Sequence, residues 1–113
     1  MRHAIALGLK LAVYLVIFGL THPFMGARTL GLSMILAAVH TLLLWFADLL
    51  VLPRFGNLVA AAGDAMTLVV GTFLVAGAVG RLPNPATLPI AVVAGTAFEL
   101  WFHRWLESAA IVE

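Results

Sequence analysis

The run TLGLSMILAAVHTLLLWFADLLVL occupies Thr29 to Leu52, and GNLVAAAGDAMTLVVGTFLVAGAVG occupies Gly56 to Gly80. Only Pro53-Arg54-Phe55 stands between them. A helix needs about 20 mainly apolar residues to cross the hydrocarbon core of a bilayer. Each run meets that length, and neither alternates polar with apolar as a barrel strand does. The pair therefore reads as two membrane helices joined by a tight Pro-Arg break.

Working outward, the same punctuation recurs. One apolar segment covers 4–20 and stops at Thr21-His22-Pro23. Another covers 86–106, after the stiff turn Leu82-Pro83-Asn84-Pro85, and tolerates Pro89 in its first turn. With 29–52 and 56–80 this gives four segments, each a helix because lipid offers no water to stray backbone groups. Short loops make sequence neighbours antiparallel neighbours. The expected fold is all-α and integral to the membrane: an antiparallel up-down bundle of four transmembrane helices, forming one domain over 1–113.

Composition agrees. The chain has 113 residues, of which 64% are hydrophobic and 10% charged, with mean hydropathy +1.13. A soluble domain is nearer 45–50% apolar, with about 25% charge. Net charge is +1, with no Lys/Arg cluster, so no nucleic-acid partner is expected. There is no cysteine for disulfides, thiol chemistry or Cys-based metal sites. Arg2 and His3 resemble a signal-peptide n-region, but Lys10 interrupts the apolar stretch and no cleavage-type motif follows, so the first segment is read as a retained helix. Arg2, Arg54 and Arg104 fall on one side and Arg28 and Arg81 on the other, a slight bias placing both termini in the cytoplasm of a cell-membrane protein. Trp45, Trp101 and Trp105 lie toward that same side, as an interfacial belt would, although Trp45 is deep enough to pack instead. Small residues at Gly56, Ala60, Gly63, Thr67 and Gly71, and at Ala91 and Gly95, mark close helix contacts.

The informative residues are the ionisable ones inside the apolar segments: Lys10, His40, Asp48, Asp64, Glu99 and His103. A charge at mid-membrane costs about 2.5–3.5 kcal/mol even on lenient insertion scales, so each needs a partner. At 1.5 Å rise per residue, Lys10, Asp48, Asp64 and Glu99 all lie about 6–12 Å from the same end of the expected bundle, one on each helix. Faces agree with depth. Ser33, His40, Leu44 and Asp48 share one stripe, as do Asn57, Asp64, Thr67 and Gly71, while Ala91, Gly95, Glu99 and His103 are successive i+4 neighbours and Lys10 lies one turn from Tyr14. The expected site is a buried polar core of Lys10, Asp48, Asp64 and Glu99, with His40 above it and His103 at its mouth.

Three carboxylates then face one ammonium. Protonation, a bound cation with Asn57 or Thr67 as helpers, or water entering from one side would each repair that imbalance. The same residues also serve as interhelical glue in a structural or interaction protein, or as oligomer contacts. A proton- or cation-coupled transporter or channel subunit is the alternative, and it requires an oligomer because one small bundle encloses no wide aqueous path. No nucleophile–base pair or phosphate loop is present, and the stripe Glu99, His103, Glu107 lacks a defined partner ligand. No enzyme, cofactor or resident metal is expected. The expected partners are the lipid bilayer and a second copy of the chain.

The segment Phe46-Ala-Asp-Leu-Leu-Val-Leu-Pro53-Arg-Phe-Gly-Asn57, then Ala62-Gly-Asp64-Ala-Met-Thr67, with the opening Met1-Arg-His-Ala-Ile-Ala-Leu-Gly-Leu-Lys10, resembles the YndM-like family. That family is a domain of unknown function found mainly in spore-forming Gram-positive bacteria. The resemblance spans nearly the whole chain, and the D-x-x-x-x-P segment followed by a second Asp is its most specific part. It implies a small protein with four transmembrane helices in the bacterial cytoplasmic membrane. It implies no activity, and nothing for Glu99 or His103.

Overall fold

The computed structural model describes residues 2–26 and 29–108. Arg28, the Arg2 side chain and the chain beyond Ser108 lie outside the described residues, so the arginine balance between the two sides is not tested by them. The described chain forms α1 (Arg2–Thr21), α2 (Leu30–Leu50), α3 (Leu52–Val79) and α4 (Leu88–Ser108). No sheet occurs among the described residues, and an isolated bridge joins Phe24 to Pro83.

Helix boundaries follow local chemistry, with one departure from the expected break at Pro53. Val51 alone separates α2 from α3, and Pro53 sits in the first turn of α3, where its missing N–H costs nothing. The break falls at Gly56 instead, whose φ of 85° and ψ of 175° interrupt the helix. Glycine takes that backbone without a Cβ clash. The long straight part of α3 therefore begins at Asn57, close to the expected start. It ends at Gly80, left-handed at φ 71°, where the Arg81 amide bonds the Ala76 carbonyl at 2.8 Å. At the same end the two interhelical connections pair: the Met25 amide donates to Leu82 (2.7 Å) and the Asn84 amide to Pro23 (2.8 Å).

Three helices, α1 from His3 to Thr21, α2 and α3, are long and apolar enough to cross a membrane. Helix α4 has the same length as α2, but Glu99, His103, Arg104 and Glu107 lower its hydropathy below theirs. α1 and α3 each pack against both α2 and α4. The surface they leave is apolar: Leu20 is 80% exposed, Leu58 78% and Leu74 69%. Lys10, Asp48, Asp64, Glu99 and His103 are buried. Charge is inside and hydrocarbon outside, the reverse of a soluble domain.

Two buried apolar layers flank the charges. One contains Tyr14, Phe18, Leu36, Leu44, Leu68 and Ala91. The other contains Ala6, Trp45, Leu52, Ala60, Phe102 and Leu106. Lys10, Asp48, Asp64 and Glu99 each have a member of both layers, or Gly95, about one turn away along their own helix. Close approach is visible at two glycines. A Cβ on Gly71 would stand 2.5 Å from His40 Nε2, and one on Gly95 would stand 2.8 Å from Leu68 Cδ1. Gly56 and Gly63, also expected as contacts, have nothing within 4 Å of such a Cβ. Trp45 is 8% exposed, its ring edge-on to His3 and Phe102, so it packs rather than joining an interfacial belt. Trp101 is 53% exposed and stacks on Trp105.

Candidate functional site

Helix geometry delivers the site residues. On α1 the stripe Ala6, Lys10, Tyr14 and Phe18 is buried, as are Ser33, Leu36, His40, Leu44 and Asp48 on α2 and Ala91, Gly95, Glu99 and His103 on α4. Each is a row of i+4 or alternating i+3 and i+4 neighbours, one face of a helix. α3 contributes Asp64, with Ala60 and Leu68 on either side.

Lys10 is the first centre of the network. Its Nζ donates to Asp48 Oδ2 at 2.7 Å and to Glu99 Oε2 at 3.0 Å, and lies 2.8 Å from Glu99 Oε1. It also stands 4.8 Å from the centroid of the Phe102 ring, a cation–π contact. The Tyr14 hydroxyl donates to Glu99 Oε1 at 2.7 Å. Lys10, Asp48 and Glu99 are all fully buried, so these charge-assisted bonds act without competing water.

His103 is the second centre. Its Nε2 lies 2.7 Å from Asp48 Oδ1, 3.1 Å from Asp64 Oδ2 and 3.1 Å from Glu99 Oε2. Its Nδ1 faces Asn57 Oδ1 at 2.7 Å. The Asn57 Nδ2 donates to the Leu100 carbonyl at 3.0 Å, which fixes the amide with its oxygen toward the imidazole. Asn57 Oδ1 can only accept, so His103 Nδ1 carries a proton. One nitrogen, Nε2, is then left among three carboxylate oxygens. A proton there serves one of them, Asp48 Oδ1 by distance. Neither oxygen of Asp64 receives a hydrogen bond among the described residues, although Asp64 is 1% exposed.

The expected residues are thus distributed unevenly. Lys10, Asp48, Asp64 and Glu99 meet. His103, expected at the mouth, is at the centre and fully buried. Helix α4 runs on to Ser108, and the layer of Phe102, Leu106 and Trp45 closes that side. Asn57 supports His103 from behind, a role the spacing did not signal. Tyr14 is bound into the cluster through Glu99. Thr67 stays out: its hydroxyl donates to the Gly63 carbonyl at 2.8 Å. His40 is separate, one ring nitrogen 2.9 Å from the Leu36 carbonyl and the other 3.3 Å from that of Thr67. Arg104 and Glu107 are exposed and add nothing to the cluster.

No curated protein and no solved structure matches the chain. The sequence pattern of one family does, from end to end: over residues 1–113 the chain belongs to the family described as a protein of unknown function (DUF2512).

Proposed function

We propose that this is a structural or interaction protein of the bacterial cell membrane, whose four helices cross as an antiparallel up-down bundle with both termini in the cytoplasm. The buried charges fasten those helices in register. The observation that carries this reading is the convergence of one or more ionisable side chains from each of α1, α2, α3 and α4 at separations of 2.7–3.1 Å. Apolar side chains facing lipid tails give helices little reason to choose one register, because tails are as apolar as leucine. A directional ion pair does give one. The YndM-like resemblance points to the same location, and α4, the least apolar helix, crosses because Glu99 and His103 face the interior while exposed Arg104 and Glu107 lie in its last turns.

A double-mutant cycle on Lys10→Met and Asp48→Asn in detergent tests the fastening. Residues sharing a network show coupling of about 0.5–3 kcal/mol. Coupling above about 1 kcal/mol in that range supports the reading, and additive effects overturn it.

A second reading, a proton- or cation-coupled transporter or channel subunit acting as a homo-oligomer, is favoured by Asp64. Asp64 holds to the network only through His103 Nε2, which it shares with two other carboxylates, and neither of its oxygens receives a hydrogen bond among the described residues. Flux into proteoliposomes that disappears in Asp64→Asn would support it. A purely monomeric mass in detergent would count against it.

A further inference from the structure

We propose that the cluster is a binding site for one divalent first-row transition cation, held by His103 Nε2, Asp48 Oδ1, Asp64 Oδ2 and Glu99 Oε2. The proposal rests on the convergence described above and assigns a ligand to it. Its first support is geometric. One ligand atom from each of Asp48, Asp64, Glu99 and His103 lies within 4.8 Å of the others, and all four residues are buried. Bonds of about 2.0–2.2 Å around a tetrahedral ion set ligand atoms about 3.4 Å apart, so the donors need adjust by an ångström or so.

The second support is independent of the carboxylates. Leu100 orients Asn57, and Asn57 holds the proton of His103 on Nδ1. Metal-bound histidines are arranged this way, with the far ring nitrogen donating to an outer acceptor so that the near lone pair is free for the ion. A third is Asp64, buried with two acceptor oxygens and no donor among the described residues, one of them 3.1 Å from that same Nε2. An unpaired buried carboxylate is costly, and a cation removes the cost.

Charge arithmetic selects the valence. Asp48, Asp64 and Glu99 contribute three negative charges and Lys10 one positive charge. With His103 neutral, a divalent ion brings the buried site to zero, whereas a monovalent ion leaves it one short. Lys10 occupies Asp48 Oδ2 and reaches both Glu99 oxygens, but it leaves Asp48 Oδ1 and both Asp64 oxygens for the ion. An imidazole beside carboxylates suits manganese, iron, cobalt or zinc, and is foreign to the all-oxygen sites of calcium and magnesium. Asn57, half-buried beside the kink at Gly56, is the polar link from this centre toward the surface.

The test uses the full chain in detergent, stripped by chelator and titrated with Co²⁺ alone. The expected result is one Co²⁺ per chain with the visible absorption of a low-coordinate site, displaced by Zn²⁺ and not by Mg²⁺ or Ca²⁺. Asn57→Ala touches no ion and should weaken binding about 10–100-fold. Asp64→Asn, which deprives no donor of its partner, should fold and weaken binding at least tenfold, so the test stands even if His103→Gln fails to fold. Absence of Co²⁺ binding, or unchanged binding in Asp64→Asn, overturns the proposal. The Lys10/Asp48 coupling measured in chelator-treated protein separates the two readings, since coupling without Co²⁺ binding would overturn only the metal site.

Discussion

One helical turn separates Lys10 from Tyr14, Asp48 from Leu44, Asp64 from Leu68 and Glu99 from Gly95, and across that turn the way the helices hold one another changes. In the charged layer, contact is made by long side chains that meet at 2.7–3.1 Å, with each partner specified. In the neighbouring apolar layer, contact is made by backbones brought close at Gly71 and Gly95, against His40, Leu68 and Tyr14. The first arrangement is unforgiving of a lost partner, because what remains is a buried charge. The second is unforgiving of added volume, because close-packed interiors do not yield. The two layers should therefore fail under opposite kinds of substitution.

The largest effect is expected where the charged layer loses its ammonium. Lys10→Ala leaves Asp48 and Glu99 buried with their main donor gone, and breaking a buried pair this way costs about 3–5 kcal/mol. Unfolding of the purified protein in mixed detergent should show the loss. A change within about 0.5 kcal/mol would mean that the surrounding carboxyls do not depend on Lys10. Next is Tyr14→Phe, which keeps the stacking on Phe18 at 5.7 Å and deletes only the bond to Glu99 Oε1. Hydrogen bonds to charged groups are worth about 1.5–3 kcal/mol, and the same unfolding assay should register that much. An unaffected Tyr14→Phe would place Tyr14 with the apolar layer alone.

The matching experiment in the apolar layer is Gly71→Ala. The new methyl meets the His40 ring at 2.5 Å, and the ring sits between the Leu36 carbonyl of α2 and the Thr67 carbonyl of α3, with a hydrogen bond available to one of them. Overpacking of this kind costs about 1–3 kcal/mol. Gly63→Ala, two stripe positions away with open space, is the control and should gain slightly from helix propensity. Equal melting temperatures for the two alanine variants would remove close approach as the principle of that layer.

Much of this contrast could be read before any coordinates. Depth along the expected antiparallel path brings Lys10, Asp48, Asp64 and Glu99 to one level, and i+4 spacing on α4 puts His103 on the same face as Glu99. Those are properties of single helices, which periodicity reports well. What spacing did not report is who bonds whom. Thr67 is three residues from Asp64, about 60° around the helix, and its hydroxyl turns back to Gly63. Asn57 was legible as a polar neighbour but not as the residue that fixes the His103 proton, because that depends on the Leu100 carbonyl of another helix. Spacing alone puts His103 one turn nearer the helix end than Glu99, which reads as the mouth of the cluster and not its centre. The neighbours of His103 on α2, α3 and α4 — Asp48, Asp64, Asn57 and Glu99 — surround it, and it is fully buried. The break after Pro53 was visible, yet its sharp bend falls at Gly56, where the backbone can adopt a positive φ.

The smallest effect on stability is expected from Asp64→Asn, and it is the sharpest comparison within the charged layer itself. Lys10 and Asp64 are buried to the same degree, but Lys10 makes its bonds and Asp64 receives none among the described residues. Asp64 has only the His103 Nε2 it shares with Asp48 and Glu99, at 3.1 Å, so neutralising it relieves desolvation and gives up only that shared contact, and metal-free Asp64→Asn should be as stable as the parent or more so. The new amide can also donate toward the oxygens of Asp48 or Glu99 that crowd His103 Nε2. With Co²⁺ or Zn²⁺ present the order should reverse, because a ligand that binds the folded state stabilises it by mass action and the variant has lost one donor. A melting temperature that falls in Asp64→Asn with and without metal would make Asp64 an ordinary partner in the fastening. A rise without metal and a fall with it would separate the residue that holds the helices together from the one that waits for an ion.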